Sequence, residues 1–236
     1  MLDRLQVSFE RLNRFSGDIA HELRTPLHNL RGEVEVALTR SRSDDEYRDT
    51  LGSCLEETVR LSRLVDSLLF LARTEQPRSA LKREPLRLAN ELKTIQEFYE
   101  AAADDAGVTL SIISSDTEFM ADRTLFQRAI GNLITNALAH MRRNGRVEIL
   151  GVASETSIKV TVTDSGSGIA AEHLPHVFDR LYRGTGARSG STGHGLGLSI
   201  VKSVVELHGG SVGIRSVEQQ GTTVEIRWPV NSTDSR

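Results

Sequence analysis

The sequence predicts two domains, a helical hairpin followed by an α+β sandwich. Up to about Ala72, apolar residues recur at alternating three- and four-residue steps, which is the spacing of helices with one apolar stripe. From Val147 onward they alternate with period two, which is typical of strands. The polar sequence Gln76-Pro-Arg-Ser79 separates the two patterns. The expected organisation is a helical domain at 1–76, a linker at 77–82, a sandwich domain at 83–230 and a tail at 231–236.

The bulk composition argues against some classes of function. The 236 residues hold 29 Lys and Arg against 32 Asp and Glu, a formal net charge of -3, and no nucleic-acid motif is present, so binding to a phosphate backbone is not expected. The single cysteine, Cys54, cannot form an internal disulfide, and a reducing, cytoplasmic setting fits. No apolar run is long enough to cross a bilayer and no signal-peptide pattern is present, so we expect the chain as given to be soluble.

The first domain is expected to be one hairpin of two long helices. The first helix runs to about Arg40, and its apolar stripe consists of Leu2, Leu5, Phe9, Leu12, Ile19, Leu23, Leu30 and Val34. A polar turn follows, with Asp44 or Asp45 as the expected cap of the second helix. The second stripe consists of Leu51, Leu55, Thr58, Leu61, Val65, Leu68 and Ala72. Two such helices cannot cover both stripes well, so a four-helix bundle in a homodimer is expected.

His21 is the residue at which we expect the chemistry of the first domain. It falls off the apolar stripe and should face water, with Glu22 beside it and Thr25 one turn ahead on the same face. Pro26 lacks the amide that would bond to the carbonyl of Glu22, so the helix is expected to kink just past the histidine.

Three interpretations of His21 compete. A surface histidine on a coiled coil is the simplest. A zinc protease site needs His-Glu-x-x-His, and Thr25, a poor zinc ligand, occupies the second histidine position, so the metal site is rejected. In the third interpretation, Glu22 accepts the proton of one ring nitrogen and leaves the lone pair of the other free to attack. The second domain must then supply an electrophile.

The second domain is expected to mix helices and strands without regular β-α-β alternation. The expected helices run over 88–106, from a cap at Asp122 to about His140, and from about Leu196 to Leu207. The expected strands contain Val108 to Ile113, Val147 and Ile149, Ile158 to Val162, and the segments on either side of the turn at 219–221. We therefore expect a sandwich with helices on one face of the sheet.

Asn132, Asn136 and His140 lie four residues apart on one helix, away from its apolar face. Amide oxygens are hard, neutral ligands that suit a Mg²⁺ ion already bound to phosphates. Two solvated asparagines are the simpler alternative, and the helix alone does not decide between them.

Two glycine-rich segments point to a nucleotide. Asp164-Ser-Gly-Ser-Gly-Ile169 directly follows a strand, and an Asp there can accept from the exocyclic amine of a purine. Gly193-His-Gly-Leu-Gly-Leu-Ser199 opens a helix whose unpaired amides favour phosphate oxygens, although it lacks the setting of the Rossmann fingerprint. The segment at 184–192 has almost nothing to bury and is expected to form a mobile lid, with Arg188 available to the terminal phosphate.

Five motifs together resemble those of sensor histidine kinases. In chain order they are His-Glu-Leu-Arg-Thr-Pro, Asn-Leu-Ile-Thr-Asn-Ala, Asp-Ser-Gly-Ser-Gly-Ile, Phe178-Asp-Arg-Leu-Tyr-Arg183 and Gly-His-Gly-Leu-Gly-Leu-Ser, which look like the H, N, first glycine, F and second glycine boxes. The resemblance covers nearly the whole chain, and the first helix most resembles the heavy-metal (copper/silver) type. It implies a dimerisation and phosphotransfer hairpin and a Bergerat-fold ATP-binding domain. The parent's sensor, HAMP domain and inner-membrane helices would be missing here.

The resemblance also implies roles for single residues. His21 resembles the phosphoacceptor, Glu22 the general base and Thr25 the residue that orients water during dephosphorylation. Asn132 and Asn136 are implied to hold Mg²⁺ against the ATP phosphates. The other implied nucleotide contacts are Asp164 and Thr223 at adenine, Gly166 and Gly168 around the pocket, Gly193, Gly195 and Gly197 at the lid, and Arg183 or Arg188 at the transferred phosphoryl group.

Three positions depart from the family's pattern. Ala139 stands where the family usually has Lys or Arg, and the candidates to replace that cation are protonated His140 and the arginines that follow the helix. Leu181 stands where a second F-box Phe is common, and Gln219 where the last glycine box often has Gly.

The expected function is an ATP-dependent histidine kinase that phosphorylates its own His21 and passes the phosphoryl group to an aspartate of a response regulator, which it is also expected to dephosphorylate. One rival is an ATPase clamp of the gyrase, MutL or Hsp90 kind, and the histidine-bearing hairpin argues against it. The other is an ATP-binding pseudokinase scaffold, against which the intact His21, Asn136 and Asp164 argue. The expected partners are a second copy of the chain and a receiver domain, with no nucleic acid.

Overall fold

The computed structural model of the chain describes residues 2–74, 81–141, 143–184 and 193–230, and for residues 2–16 and 18 it describes the helix backbone. The contacts divide the chain into two units, Met1–Ala72 and Arg73–Arg236. The expected tail, most of the expected linker and most of the expected lid lie outside the described residues.

The first unit is a helical hairpin, as predicted, in which α1 spans Leu2–Leu38 and α2 spans Asp44–Thr74. The predicted cap of α2 is wrong. Ser43 N donates to Glu46 Oε2 at 2.9 Å, and Glu46 N donates back to Ser43 Oγ at 3.2 Å. This reciprocal capping box satisfies two amides at the start of α2, and its Ser-x-x-Glu pattern is legible in the sequence. The Ser43 amide also holds the pKa of the Glu46 carboxyl below its ordinary value.

The apolar residues of α2 lie on more than one face. Leu64, Leu68 and Leu71 are buried, but Leu51 and Leu55 of the predicted stripe are 67% and 64% exposed. The prediction of one apolar stripe therefore does not describe this helix, because a helix in a bundle can contact more than one neighbour.

The second unit is an α+β sandwich, as predicted. Its elements are β1 (Glu84–Arg87), α3 (Leu88–Ala106), β2 (Thr109–Ser114), β3 (Glu118–Ala121), α4 (Arg123–Ala139), β4 (Arg146–Ala153), β5 (Ser157–Asp164), a short 3₁₀ helix (Leu174–His176), α5 (Gly197–Leu207), β6 (Ser211–Val217) and β7 (Gly221–Pro229). The main sheet has the order β2-β4-β5-β7-β6, in which β2 and β4 are parallel and the other pairs are antiparallel. The antiparallel pair of β1 and β3 was not predicted.

Alternation along the central strands creates the core on the face that the helices cover. The large apolar side chains of β4, β5 and β7 that are buried on this face are Val147, Ile149, Ile158, Val160, Val162, Val224, Ile226 and Trp228. The Trp228 ring packs against Phe126 of α4 and against His208 just after α5, with ring centroids 5.4 and 5.3 Å apart. The same alternation places Asp164 and Thr222, which are register partners, on this inner face.

Candidate nucleotide and phosphoacceptor sites

α1 presents the histidine motif on its surface. His21 is exposed, as predicted, and so is Thr25 one turn ahead. The Thr25 hydroxyl donates to the carbonyl oxygen of His21 at 3.3 Å. Pro26 is buried, and α1 continues through it, so the proline does not end the helix. The imidazole is therefore accessible to a second reactant.

α4 positions the two asparagines. The Asp122 carboxylate accepts from Leu125 N at 3.1 Å, which confirms the predicted cap. Asn132 and Asn136 are half-buried one turn apart. The Asn132 amide nitrogen donates to Arg128 O at 2.7 Å, so its Oδ1 remains as an acceptor.

The Asn132 oxygen faces the start of α5. A β-carbon added at Gly197, the first residue of α5, would lie 3.4 Å from Asn132 Oδ1. The preceding residue, Leu196, has no side-chain group that could cap the helix, so its first-turn amides are available to an anion. An amide oxygen beside such a helix end fits a magnesium–phosphate group.

The three glycines before and at the start of α5 are not equivalent. Gly195 has φ of +67°, its carbonyl accepts from Leu181 N at 3.0 Å, and a β-carbon there would come within 2.6 Å of Tyr182 O. A side chain at Gly195 would therefore be strained and crowded. Gly193 is exposed, and a β-carbon there would meet nothing within 4 Å. The geometry requires glycine at Gly195 but not at Gly193.

Asp164 ends β5 as a half-buried carboxylate. Its Oδ1 accepts from Gly166 N at 2.8 Å and from Thr222 N at 3.2 Å. Burial raises the pKa of this carboxyl above its ordinary value, while the two amide bonds and the nearby His140 act to lower it. Both bonds use Oδ1, and the predicted contact with a purine amine would therefore be made by Oδ2.

The loop at 164–169, the first glycine loop, is interlocked with the turn between β6 and β7. A β-carbon at Gly168, which has φ of +65°, would overlap the carbonyl oxygen of Val217. One at Gly221 would overlap the carbonyl oxygen of Asp164. Gln219 N also donates to Ser167 O at 2.7 Å. The turn thus helps to set the position of Asp164.

The predicted position of Thr223 beside adenine is corrected by the strand register. Thr223 pairs with Thr163, and their hydroxyl oxygens lie 3.3 Å apart on the sheet face opposite Asp164. Thr222, one residue earlier, is the partner of Asp164 and donates its amide to that carboxylate. A one-residue offset reverses the face in a strand, and the linear motif alone did not resolve it.

Ala139, which stands where the family usually has Lys or Arg, is the last residue of α4, and its side chain is exposed. His140 is the C-cap residue of α4 and is exposed, and its charge acts on the pKa of Asp164. Arg143 is exposed, and Arg142 lies outside the described residues. A phosphate contact by His140 stays a prediction.

The F-box segment is held by histidines. The Tyr182 hydroxyl lies 2.9 Å from His173 Nδ1, and the ring of His176 packs against Tyr182 with centroids 5.4 Å apart. Leu181 adopts φ of +60°. Arg183 is exposed at the end of this segment, whereas Arg188 lies outside the described residues.

Two protein families match this arrangement. Residues 11–77 match the His Kinase A (phospho-acceptor) domain, and residues 121–232 match the histidine kinase-, DNA gyrase B-, and HSP90-like ATPase. The chain belongs to the sensor histidine kinases. The order of the two matches agrees with the predicted order of the two domains.

Relatives of this kinase are sensor proteins of bacteria. It is 41% identical to sensor protein IrlS of Burkholderia pseudomallei over 98% of its own length. Its identity to sensor protein CzcS of Cupriavidus metallidurans is 39% over its whole length. Its identity to sensor histidine kinase CusS of Escherichia coli K12 is 38% over 97% of its length. These matches confirm the predicted resemblance to the heavy-metal type. The kinase covers 50%, 49% and 48% of these three proteins, so it spans about half the length of the curated relatives it matches.

Solved structures confirm the fold of the kinase. Acinetobacter baumannii histidine kinase AdeS has a TM-score of 0.74 at 21% identity, over 90% of this chain and 98% of that one. Histidine kinase ThkA in complex with response regulator TrrA has a TM-score of 0.78 at 21% identity, and the match covers 97% of this chain and 64% of that one. Mycobacterial sensor histidine kinase MprB has a TM-score of 0.56 at 28% identity, and the match covers 62% of this chain and 97% of that one. In the part of the kinase that the structure describes, no helix is long and apolar enough to cross a membrane.

Proposed function

We propose that this chain binds ATP with its second unit and transfers the γ-phosphoryl group to His21 of its first unit. The observation that carries the proposal is the Asn132 amide oxygen facing the uncapped N-terminus of α5, in a domain that follows an exposed histidine. A triphosphate with Mg²⁺ matches that helix end, and an imidazole is an acceptor for its terminal phosphoryl group.

The nucleotide is held by groups at several positions of the second unit. Asp164 Oδ2 accepts from the purine amine, the first-turn amides of α5 donate to phosphate oxygens, and Gly166 and Gly168 shape the pocket by letting the first glycine loop pack closely against the carbonyl oxygens of His140 and Val217. Asn132 and Asn136 would hold Mg²⁺, which when bound neutralises charge on the phosphates. Arg183 and Arg188 are proposed to act on the charge of the transferred group.

His21 acts as the nucleophile in the transfer. Its unprotonated ring nitrogen forms a bond to the γ-phosphorus while the bond from that phosphorus to the bridging oxygen breaks, which releases ADP. The proton on the other ring nitrogen passes to Glu22. Because neighbouring helical residues do not face each other, Glu22 must fold its side chain back toward the ring.

The proposed partners are a second copy of the chain and a response regulator. The exposed apolar residues of α2, Leu51 and Leu55 among them, support a dimeric bundle. An aspartate of the regulator receives the phosphoryl group from His21, and Thr25 is proposed to orient water when the regulator is dephosphorylated. Attachment of a longer parent protein to the inner membrane stays a prediction.

Incubation of the chain with γ-labelled ATP and Mg²⁺ tests the proposal. We expect acid-labile, base-stable label on the wild type and none on His21→Gln, in which the nucleophile is replaced by an amide of similar size. An ATPase clamp would instead release labelled phosphate and leave the protein unlabelled, and a pseudokinase scaffold would bind ATP without either outcome.

A further inference from the structure

Ser216 lies on β6 beside the proposed nucleotide site and belongs to none of the five motifs. It is the register partner of Thr222, which is in turn the partner of Asp164. The three residues therefore form one row across β6, β7 and β5 on the inner face of the sheet. Ser216 is half-buried, and Thr222 is only 8% exposed.

The Ser216 hydroxyl has three neighbours in hydrogen-bond range. It accepts from Ile169 N at 2.8 Å, at the end of the first glycine loop. It donates to the carbonyl oxygen of Gly221 at 2.8 Å. Its oxygen also lies 2.9 Å from Thr222 Oγ1. A serine hydroxyl carries one proton and two lone pairs, so these contacts use its full capacity.

This arrangement fixes the direction of the bond between Ser216 and Thr222. A carbonyl oxygen only accepts, so the Ser216 proton is committed to Gly221, and the amide of Ile169 takes one lone pair. The remaining lone pair must accept from Thr222. The Thr222 hydroxyl proton therefore points at Ser216, and only its lone pairs remain for another group.

We propose that Ser216 is a specificity-determining residue that selects a 6-amino purine over a 6-oxo purine. It holds the Thr222 hydroxyl in its acceptor orientation, on the same face of the sheet as the Asp164 carboxylate, whose Oδ2 is also an acceptor. A pocket wall with acceptors only complements the amine of adenine and repels the carbonyl of a 6-oxo base, because unpaired buried acceptors are costly. This inference rests on the proposed ATP binding and extends it to how the base is chosen.

The probe pair for this inference is ATP and inosine triphosphate, which differ only at the 6-position and in the adjoining N1 proton. Dissociation constants of both are measured with Mg²⁺ on the full chain, in wild type, Ser216→Ala and Ser216→Thr. Wild type is expected to prefer ATP by more than tenfold. In Ser216→Ala the Thr222 hydroxyl is free to turn its proton toward the 6-carbonyl, so the preference should fall about fivefold, on the order of one hydrogen bond. Ser216→Thr, which keeps the hydroxyl, should restore it to within twofold.

The Thr222→Val background separates specificity from loop packing. With the Thr222 hydroxyl removed, adding Ser216→Ala should leave the preference unchanged, because Ser216 acts through that hydroxyl. Thr222→Val alone must also lower the preference, which keeps the test valid if Ser216→Ala fails to fold.

Four results overturn the inference. Ser216→Ala that weakens both nucleotides equally shows a residue that only braces the first glycine loop. An unchanged preference in Thr222→Val shows that the hydroxyl does not face the base. A wild type that binds neither nucleotide overturns the proposed function as well, whereas a wild type that prefers ATP with no effect of Ser216 overturns this inference alone.

Discussion

Gln219 is held in the left-handed region of backbone space at φ of +65°, in the turn that braces Asp164. Its amide donates to Ser167 O at 2.7 Å, so the turn cannot relax without releasing the first glycine loop. A residue with a β-carbon pays roughly 1–2 kcal/mol for this conformation, and glycine does not. The departure from glycine that the sequence shows at this position therefore has an energetic consequence.

Gln219→Gly is expected to stabilise the second unit by about 0.5–1 kcal/mol, because relief of strain outweighs the greater freedom of glycine in the unfolded chain. Urea unfolding followed by the fluorescence of Trp228, the single tryptophan, measures this. The matched control is Gln220→Gly, at the next residue, which does not have a positive φ and should be destabilised. Equal loss of stability in both variants would contradict the argument.

At the residue scale, sequence motifs identified the groups but not always the face on which they lie. His21, Asn132, Asn136 and Asp164 were found because each sits in a contiguous pattern with its own spacing. Thr222 was missed in favour of Thr223, and Ser216 was missed entirely, because their relation to Asp164 exists only in the strand register. The register here joins Asp164 to Thr222, 58 positions later, and local patterns carry little information about such a pairing.

Helices α4 and α5 are joined by a buried histidine. His208, just after α5, is 1% exposed; its Nδ1 donates to Val204 O at 2.8 Å, and its Nε2 accepts from Asp122 N at 3.1 Å, at the cap of α4. This pair of contacts requires the neutral ring with its proton on Nδ1. A proton on Nε2 would place two donors against each other at the start of the helix that carries Asn132 and Asn136.

Stability of the second unit is expected to fall as the pH drops below about 6.5. Burial lowers the pKa of His208 in the folded protein, so between the two pKa values the unfolded chain binds the proton and the folded chain does not. The contribution of neutral His208 to the free energy of unfolding is present in full above the pKa of the unfolded chain, and it is lost as the pH falls toward the pKa of the folded protein. Urea titrations at pH 5.0, 6.0 and 7.5 should show this slope in wild type and in His28→Gln, an exposed control. His208→Gln should be less stable at every pH, but its free energy of unfolding should lack the part of the pH dependence that His208 causes. An identical pH dependence in this variant would show that His208 is not its cause.

The hairpin predicts a dimer because its second helix leaves large apolar side chains uncovered. Leu55→Glu should dissociate the dimer, because the carboxylate must be desolvated where Leu55, 64% exposed in one chain, would be buried in the pair. Sedimentation equilibrium measures the change, and we expect the dissociation constant to rise at least tenfold. Glu56→Gln on the next residue, which is also exposed, serves as the control. A dimer unaffected by Leu55→Glu would place the interface elsewhere.

Among the helices and strands, the long ones could be predicted from the sequence and the shortest could not. The long helices and the central strands were predicted because several periods of their patterns are visible. β1 and β3 have four residues each, too few to show a period, and they pair with each other across more than thirty residues. The cap at Ser43 was within reach of the sequence, since Ser-x-x-Glu is a local pattern.

The residues proposed to carry the chemistry belong to two different units, which explains why the order of motifs predicted the organisation of the chain. His21 belongs to the unit Met1–Ala72, and Asp164, Asn132 and the start of α5 belong to the unit Arg73–Arg236. Each motif is local in sequence and needs no long-range information to be recognised. Loss of the phosphoacceptor His21 should therefore leave ATP binding by the second unit measurable.

His21→Gln and Asp164→Asn are expected to impair different steps, phosphoryl transfer in the first variant and ATP binding in the second. His21→Gln should lose all label from γ-labelled ATP and keep its ATP affinity within about twofold, since an amide side chain cannot supply the imidazole nucleophile and the second unit is untouched. Asp164→Asn should bind ATP at least tenfold more weakly while His21 remains intact. In the proposed site Asp164 uses both oxygens, because Oδ1 already accepts from Gly166 N and Thr222 N and Oδ2 is proposed to accept from the purine amine.

An asparagine at position 164 offers one oxygen and one donor group, so it must give up either the two backbone amides or the base. Isothermal titration with ATP and Mg²⁺ gives the affinities, and the acid-labile label gives the transfer. An alanine at position 164 removes both oxygens and should be no better than asparagine. If Asp164→Asn bound ATP as tightly as wild type, the base would not be read by Oδ2, and if His21→Gln weakened binding tenfold, the two units would not act as separate sites.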